Sequence, residues 1–311
     1  MRLRVIANVI FWILAVVVIA YLTATYGDLI LQIAKSVDYI RAAIAMVLIV
    51  FGMIITVLVW TRILHLLEPQ RDVGTTRLFG IFGSAILAKY IPGGIWEVSG
   101  RTYLTHLVGY EMQTILVSIA YELILSSLAG LCVSVAFLGG LISGAGIAFN
   151  AAVAVQVSVA IIVSIILLFL PKTFLRIANM VLKKFNLAIA ETNFLSGWRM
   201  LEIFAYYAIA LTIMGIGYHV FVISAAPGGH IPILVSSGSY ILALTLGVVV
   251  VFAPAGLGVR EIILFSFLKN WLPLPLATFV SIGSRILTIG GDVVIFIISK
   301  LISAVPSGRA T

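Results

Sequence analysis

Charge is what this chain of 311 residues has least of. Charged side chains make up 10% of it and hydrophobic ones 62%, whereas a soluble globular domain carries about 25% charge, so water alone could not solvate such a surface. The single cysteine, Cys132, can form no intramolecular disulfide and leaves the redox compartment unreadable. His65, His106, His219 and His230 fall on different segments without metal-ligand spacing, so no metal site is expected. No Gly-Lys-Ser/Thr follows a glycine-rich loop and GxGxxG is absent, which removes the P-loop and the dinucleotide fingerprint. β-Barrel alternation is missing too. No nucleophile–base arrangement stands out, so an enzyme is the least supported class and no cofactor is expected.

What is present is a set of long apolar runs. Those of about 20 residues each suffice to cross a hydrocarbon core of roughly 30 Å as a helix. The net charge of +8 would suit nucleic acid in a soluble protein. Here the basic residues cluster beside the apolar runs, the pattern that orients membrane helices, and nucleic acid is not an expected partner.

Charge-free stretches cover Ala7 to Thr25 and Ala42 to Trp60. The first follows Arg2 and Arg4 and is longer than the roughly 7–15 apolar residues of a signal peptide, so it reads as an uncleaved span. Leu78 to Ile91 is too short to cross and stops at Pro92-Gly93-Gly94, after which a second short limb reaches Gly109. Met112 to Leu138 spans again, and glycines from Gly139 to Gly146 separate it from a span at Ala151 to Leu170. The loop from Pro171 to Met200 is basic, and its Phe174, Ile177, Val181 and Phe185 recur at helical spacing. That pattern fits an amphipathic helix on anionic lipid, and a solvated connecting helix fits it equally. Leu201 to Ile223 spans, Ile231 to Phe252 runs into a second break at Pro254, a short limb covers Val259 to Trp271, and Leu276 to Ser299 closes the series.

The order span, span, hairpin, span occurs twice. Three crossings per unit is odd, so the second unit is inverted relative to the first, as in many transporters. With both broken segments re-entrant, six full spans remain and both termini face the cytoplasm. That topology places twelve Lys or Arg inside and only Lys35, Arg41 and Lys269 outside, in agreement with the charge rule. Pro-kinked full spans are the alternative.

Backbone that leaves the helix inside hydrocarbon must be buried in protein or line a wet cavity, so the two breaks mark a polar site. Helices that start after them direct unpaired N–H groups and a positive dipole end inward, and Gly93, Gly94, Gly256 and Gly258 permit close approach of an anion. Charge retained inside a span costs roughly 2.5–3.5 kcal/mol per residue and therefore has a partner or a task. Lys89, Arg101, Arg260 and Arg285 balance Glu97, Glu122, Glu261 and Asp292, so mutual neutralisation is one reading. The other makes Arg101, Arg260 and Arg285 the donors to a phosphate, with Lys89 nearby and Glu97 and Glu261 positioning them or exchanging protons. Glu97 and Arg101, four apart, can pair along one helix face, and Arg285 and Asp292 share a face of the last span. Tyr90, Trp96 and Tyr103 flank the first break as an aromatic wall or as ordinary packing. Ser99, Ser281 and Ser284 fit helix packing.

The stretch Ala88-Lys89-Tyr90-Ile91-Pro92-Gly93-Gly94-Ile95-Trp96-Glu97, continuing to Arg101, and the stretch Pro254-Ala255-Gly256-Leu257-Gly258-Val259-Arg260-Glu261 resemble, in order and spacing, the lysylphosphatidylglycerol synthase transmembrane-region family, also called flippase-like domain proteins. The resemblance extends over essentially the whole chain. It implies a polytopic module that moves a lipid headgroup between leaflets. Members that make aminoacyl lipids carry a soluble transferase domain after this module; only Val305 to Thr311 follow the last span here, so synthase activity is not expected. Stand-alone members look like accessories to glycolipid or cell-envelope assembly.

The expectation is an all-α polytopic membrane protein, one integral membrane domain over residues 1–311. It comprises six full transmembrane helices and two re-entrant helical hairpins in a 3+3 inverted repeat, with halves near 1–140 and 147–303. It belongs in the cytoplasmic membrane and moves an anionic or phosphate-bearing lipid, whether phospholipid, glycolipid or polyprenyl-linked precursor, with cell-envelope or glycan-biosynthesis enzymes as possible partners. A carrier of a small organic anion and a non-transporting scaffold for glycosyltransferases are the rival readings.

Overall fold

The computed structural model describes residues 32–91, 95–139, 195–226, 228, 230–249, 256 and 258–304. The first span, the span at Ala151 to Leu170, residues 171–194 of the basic stretch after it, and Pro92, Gly93, Gly94 and Pro254 lie outside the described residues.

Every described element is helical: α1 (Tyr39–Leu67), α2 (Thr75–Ile86) with a 3-10 turn (Leu87–Tyr90), α3 (Trp96–Leu107), α4 (Met112–Gly139), α5 (Gly197–Ala225), α6 (Ile233–Val249), α7 (Val259–Leu268) and α8 (Leu274–Ala304). Four of these, α1, α4, α5 and α8, are long and apolar enough to cross a membrane. At about 1.5 Å per residue, the 29 residues of α1 exceed a core of roughly 30 Å. The 12 residues of α2, the 12 of α3 and the 10 of α7 fall well short. Asp38 starts α1 by accepting hydrogen bonds from the backbone N–H groups of Ile40 and Arg41 at 3.0 and 3.1 Å, a cap worth about 1 kcal/mol. Apolar residues cover α1 all round: Ile49 and Trp60 are buried while Val47 and Phe51 are exposed, as expected of a helix solvated by lipid.

The long helices pack through small residues, because in lipid close backbone approach replaces hydrophobic burial as the source of attraction. α1 and α5 run antiparallel: Asp38 N–H donates to Ser224 O at 2.9 Å, Gly217 faces Ala45 and Ile49, Gly52 faces Ala210 and Met214, and Arg62 reaches Glu202 at 3.3 Å. α2 runs antiparallel to α8, with Gly83 against Ile295 and Ser299 and Gly80 against Ser303. α4 runs antiparallel to α6, with Gly130 against Thr245 and Gly238 against Leu138.

The described helices fall into two series of equal order, long, broken pair, long. Exchanging α1 with α5, α2 with α6, α3 with α7 and α4 with α8 maps the set of substantially contacting helix pairs onto itself. Single residues follow the same exchange. The twenty-second residue of α1, Trp60, donates from its indole to Ser118, the seventh of α4, at 3.1 Å. The twenty-second residue of α5, Tyr218, donates to the carbonyl of Val280, the seventh of α8, also at 3.1 Å. Each aromatic ring lies against the eighth residue of its own broken pair: Trp60 against Phe82 with centroids 5.5 Å apart, Tyr218 against Tyr240 at 4.5 Å.

A Cβ at Gly52 would come within 2.8 Å of the Ala210 carbonyl oxygen, whereas one at Gly74 would find only Thr76 Oγ1, at 3.8 Å. Gly52→Val should therefore destabilise the protein by about 1–3 kcal/mol through overpacking and Gly74→Ala should leave it unchanged, both read from thermal unfolding in detergent.

Candidate functional site

Both breaks deliver charged side chains to α4 and α8. The 3-10 turn after α2 carries Lys89, whose ammonium lies 2.7 Å from the carboxylate of Asp292 on α8. Tyr90 donates its hydroxyl to the other oxygen of the same carboxylate. Asp292 is 1% exposed, and these two donors lie against its carboxylate. Arg285 and Asp292 share a face of α8 as expected, but they do not pair with each other: Asp292 takes Lys89, and Arg285 takes Glu261 of α7.

Around the second break the backbone sets the geometry. Gly256 and Gly258 have φ of +68° and +81°, a conformation that side chains with a Cβ rarely adopt. Gly256 also sits so close to Gly247 of α6 that a Cβ on it would lie 2.7 Å from the Gly247 carbonyl oxygen. Gly247 is needed in turn because the stem of Arg260 crosses it, with Cγ and Nε 2.7 and 2.6 Å from where its Cβ would be. Glu261 closes the start of α7 by accepting from the backbone N–H of Gly258 at 2.8 Å, and its other oxygen receives Arg285 Nε. The positive end of α7 is thus partly answered by its own helix.

Arg260 is left over. Its Nε is buried without a hydrogen-bond partner, and among the described residues it makes no ion pair. Arg285, Glu261, Tyr240 and Tyr90 are all close enough to act on it electrostatically.

Arg101, on α3, is paired, as the mutual-neutralisation reading of these charges expects. Its Nη2 lies 2.7 Å from Glu122 of α4, and its guanidinium carbon is 4.9 Å from the Trp60 ring centroid and 4.7 Å from that of Phe82. The side chain is 4% exposed, and Nε and Nη1 have no hydrogen-bond partner among the described residues. The expected pairing of Glu97 with Arg101 along α3 is not formed: the carboxylate of α4 takes the guanidinium, and Glu97 stays half-buried without an ion pair among the described residues. A cation held by two rings and a carboxylate is a packing element.

The eight charges therefore form two triads of opposite sign joined by a neutral pair. Glu97, Arg101 and Glu122 sum to −1, Arg260, Glu261 and Arg285 sum to +1, and Lys89 with Asp292 sums to zero. Charge is reversed at similar helix positions: Glu97 and Arg260 are each the second residue of α3 and α7, and Glu122 and Arg285 are the eleventh of α4 and the twelfth of α8, whereas Arg101 and Glu261 are the sixth of α3 and the third of α7. Of the sequence-based candidates, Lys89, Gly256, Gly258, Arg260, Glu261 and Arg285 are brought to the second triad and its neighbouring pair, Glu97 and Arg101 form the first, and Gly93 and Gly94 lie outside the described residues.

Residue reasoning missed Trp60 and Phe82 as ring partners of Arg101, and Tyr240 as a neighbour of Arg260. A tryptophan near the end of an apolar run reads as an interface anchor, and nothing local distinguishes it from a cation partner. No family model matches the chain, and no curated protein matches it.

Removing one member of the first triad's ion pair strands a buried charge, at a cost of about 3–5 kcal/mol. Glu122→Ala should accordingly lower the melting temperature in detergent far more than the double variant Arg101→Met, Glu122→Leu. Arg101→Lys should also destabilise, because an ammonium cannot lie flat against two rings.

Proposed function

We propose that this protein is a membrane transporter, a flippase that moves a phosphate-bearing lipid between leaflets, with the headgroup held at the tips of two re-entrant hairpins and the tails left in lipid. The observation that carries the proposal is Arg260: a half-buried arginine beside a helix break, its Nε enclosed without a hydrogen-bond partner and with no ion pair among the described residues. A cation kept in that position inside a membrane protein implies an anionic visitor. Arg285 adds a second guanidinium, and two such groups offer a phosphate paired, directional donors.

In this reading α2 with α3 and α6 with α7 are the hairpins, six spans cross the bilayer, and the two halves form an inverted repeat. The antiparallel run of α1 against α5, the exchangeable set of helix neighbours and the matched bonds of Trp60 and Tyr218 support that repeat. Alternating access by rocking of one half against the other is the motion such repeats serve. The resemblance of both break motifs to flippase-like domain proteins points the same way. The lipid part of the proposal draws on the exposed apolar residues that flank the tips, Ile95 and Trp96 on the first hairpin and Ile262 on the second, which offer tails a surface beside the polar cluster. The charge distribution places both termini in the cytoplasm.

Reconstitution into liposomes containing fluorescent phosphatidylglycerol tests this reading. The protein should accelerate transbilayer movement over protein-free vesicles, and Arg260→Gln, with an unchanged melting profile, should lose most of that acceleration. Uptake of a small organic anion without lipid movement would identify a solute carrier instead. A scaffold would do neither.

A further inference from the structure

Resting on the flippase reading, one residue of the second triad can be given a task of its own. Arg260 and Arg285 bring two positive charges to one place, and both act electrostatically on Tyr90 and Tyr240. Glu261 neutralises only one of them, through Arg285. Its carboxylate is fixed from the other side by the Gly258 N–H, so it stays in the triad. With Lys89 and Asp292 cancelling each other, one positive charge remains uncompensated. The first triad, with its excess of −1, adds a repulsive field against any further negative charge.

We propose that Glu261 is the charge-selectivity residue of the site: by cancelling one of two adjacent arginines it leaves room for a single negative charge, so the site accepts a phosphodiester lipid and discriminates against a phosphomonoester or diphosphate lipid. A phosphodiester carries one charge at any physiological pH. A phosphomonoester carries close to two once the pH exceeds its second pKa of about 6. In a poorly solvated site each unmatched charge is expensive, so the count of charges, more than the shape of the phosphate, decides which lipid enters.

Glu261→Gln is a clean probe. It removes the charge while its amide oxygen can still accept from the Gly258 N–H, so the start of α7 is preserved. The experiment compares transbilayer movement of phosphatidylglycerol and of phosphatidic acid with the same acyl chains, in reconstituted vesicles at pH 8.5. The wild-type protein should prefer phosphatidylglycerol. Glu261→Gln should shift the ratio of the two rates toward phosphatidic acid by roughly tenfold or more. The double variant Glu261→Gln, Arg285→Gln restores a net charge of +1 and should restore the wild-type ratio, which no purely structural role for Glu261 predicts.

Failure of the wild-type protein to move either lipid would remove the flippase reading itself. Movement of both with a ratio that Glu261→Gln leaves unchanged would overturn the charge-selectivity proposal alone. If Glu261→Gln does not fold, as judged by its melting profile, the double variant still decides: with the charge count intact it should keep the preference for phosphatidylglycerol, and loss of that preference would refute the proposal.

Discussion

Hydrocarbon solvates neither charge nor free backbone, and the arrangement of this protein follows from how its eight interior charges and two helix breaks satisfy that constraint together. Backbone that leaves a helix inside hydrocarbon finds no water to bond. Each break also brings a limb whose charged residues cannot remain alone. Glu261 answers both demands at once, since one carboxylate caps the start of α7 and neutralises Arg285. Lys89, in the 3-10 turn after α2, is bound to Asp292 of α8, so the first broken pair is tied to the last described helix. Remove the polar cluster and the breaks would have nothing to face.

Glycine makes this possible on the packing side. Gly247 and Gly256 allow α6 and the second break to touch backbone to backbone, and the same absence of a side chain at Gly247 gives the stem of Arg260 its path. The buried position of that arginine is therefore a consequence of two glycines as much as of its own chemistry. Aromatic rings do comparable work in the first half, where Trp60 and Phe82 hold Arg101 against Glu122. In the second half the matching pair, Tyr218 and Tyr240, stacks ring on ring. One series uses its aromatic pair to hold a cation, and the other leaves its cation without an ion pair among the described residues.

Reversal of charge between similar helix positions has a physical logic. Two identical triads would add their net charges in the least polar part of the molecule, whereas opposite ones cancel over distance and confine the field to the space between them. On the proposed function, an anion at the positive triad would meet attraction close by and repulsion beyond.

Composition and hydrophobic period determined the class of this protein before any coordinate: apolar runs such as the charge-free Ala42 to Trp60, and Met112 to Leu138 with Glu122 as its one charge, read as long helices in lipid, because each carries its own length and its own solvent preference. The two breaks were equally legible, since proline and glycine act on the backbone locally, and α6 ends and α7 begins around the predicted position. Even the eight charges could be named, as any ion inside an apolar run is conspicuous. Which ion meets which was decided only by tertiary structure. Lys89 and Asp292 are 203 residues apart, and Arg101 pairs with Glu122 on the next helix, not with Glu97 on its own, where α4 brings the carboxylate and α1 and α2 bring the rings of Trp60 and Phe82. Pairing across helices depends on crossing geometry, which no local pattern encodes, and so it emerges only when the helices are assembled that Arg260, of the four interior cations, makes no ion pair among the described residues.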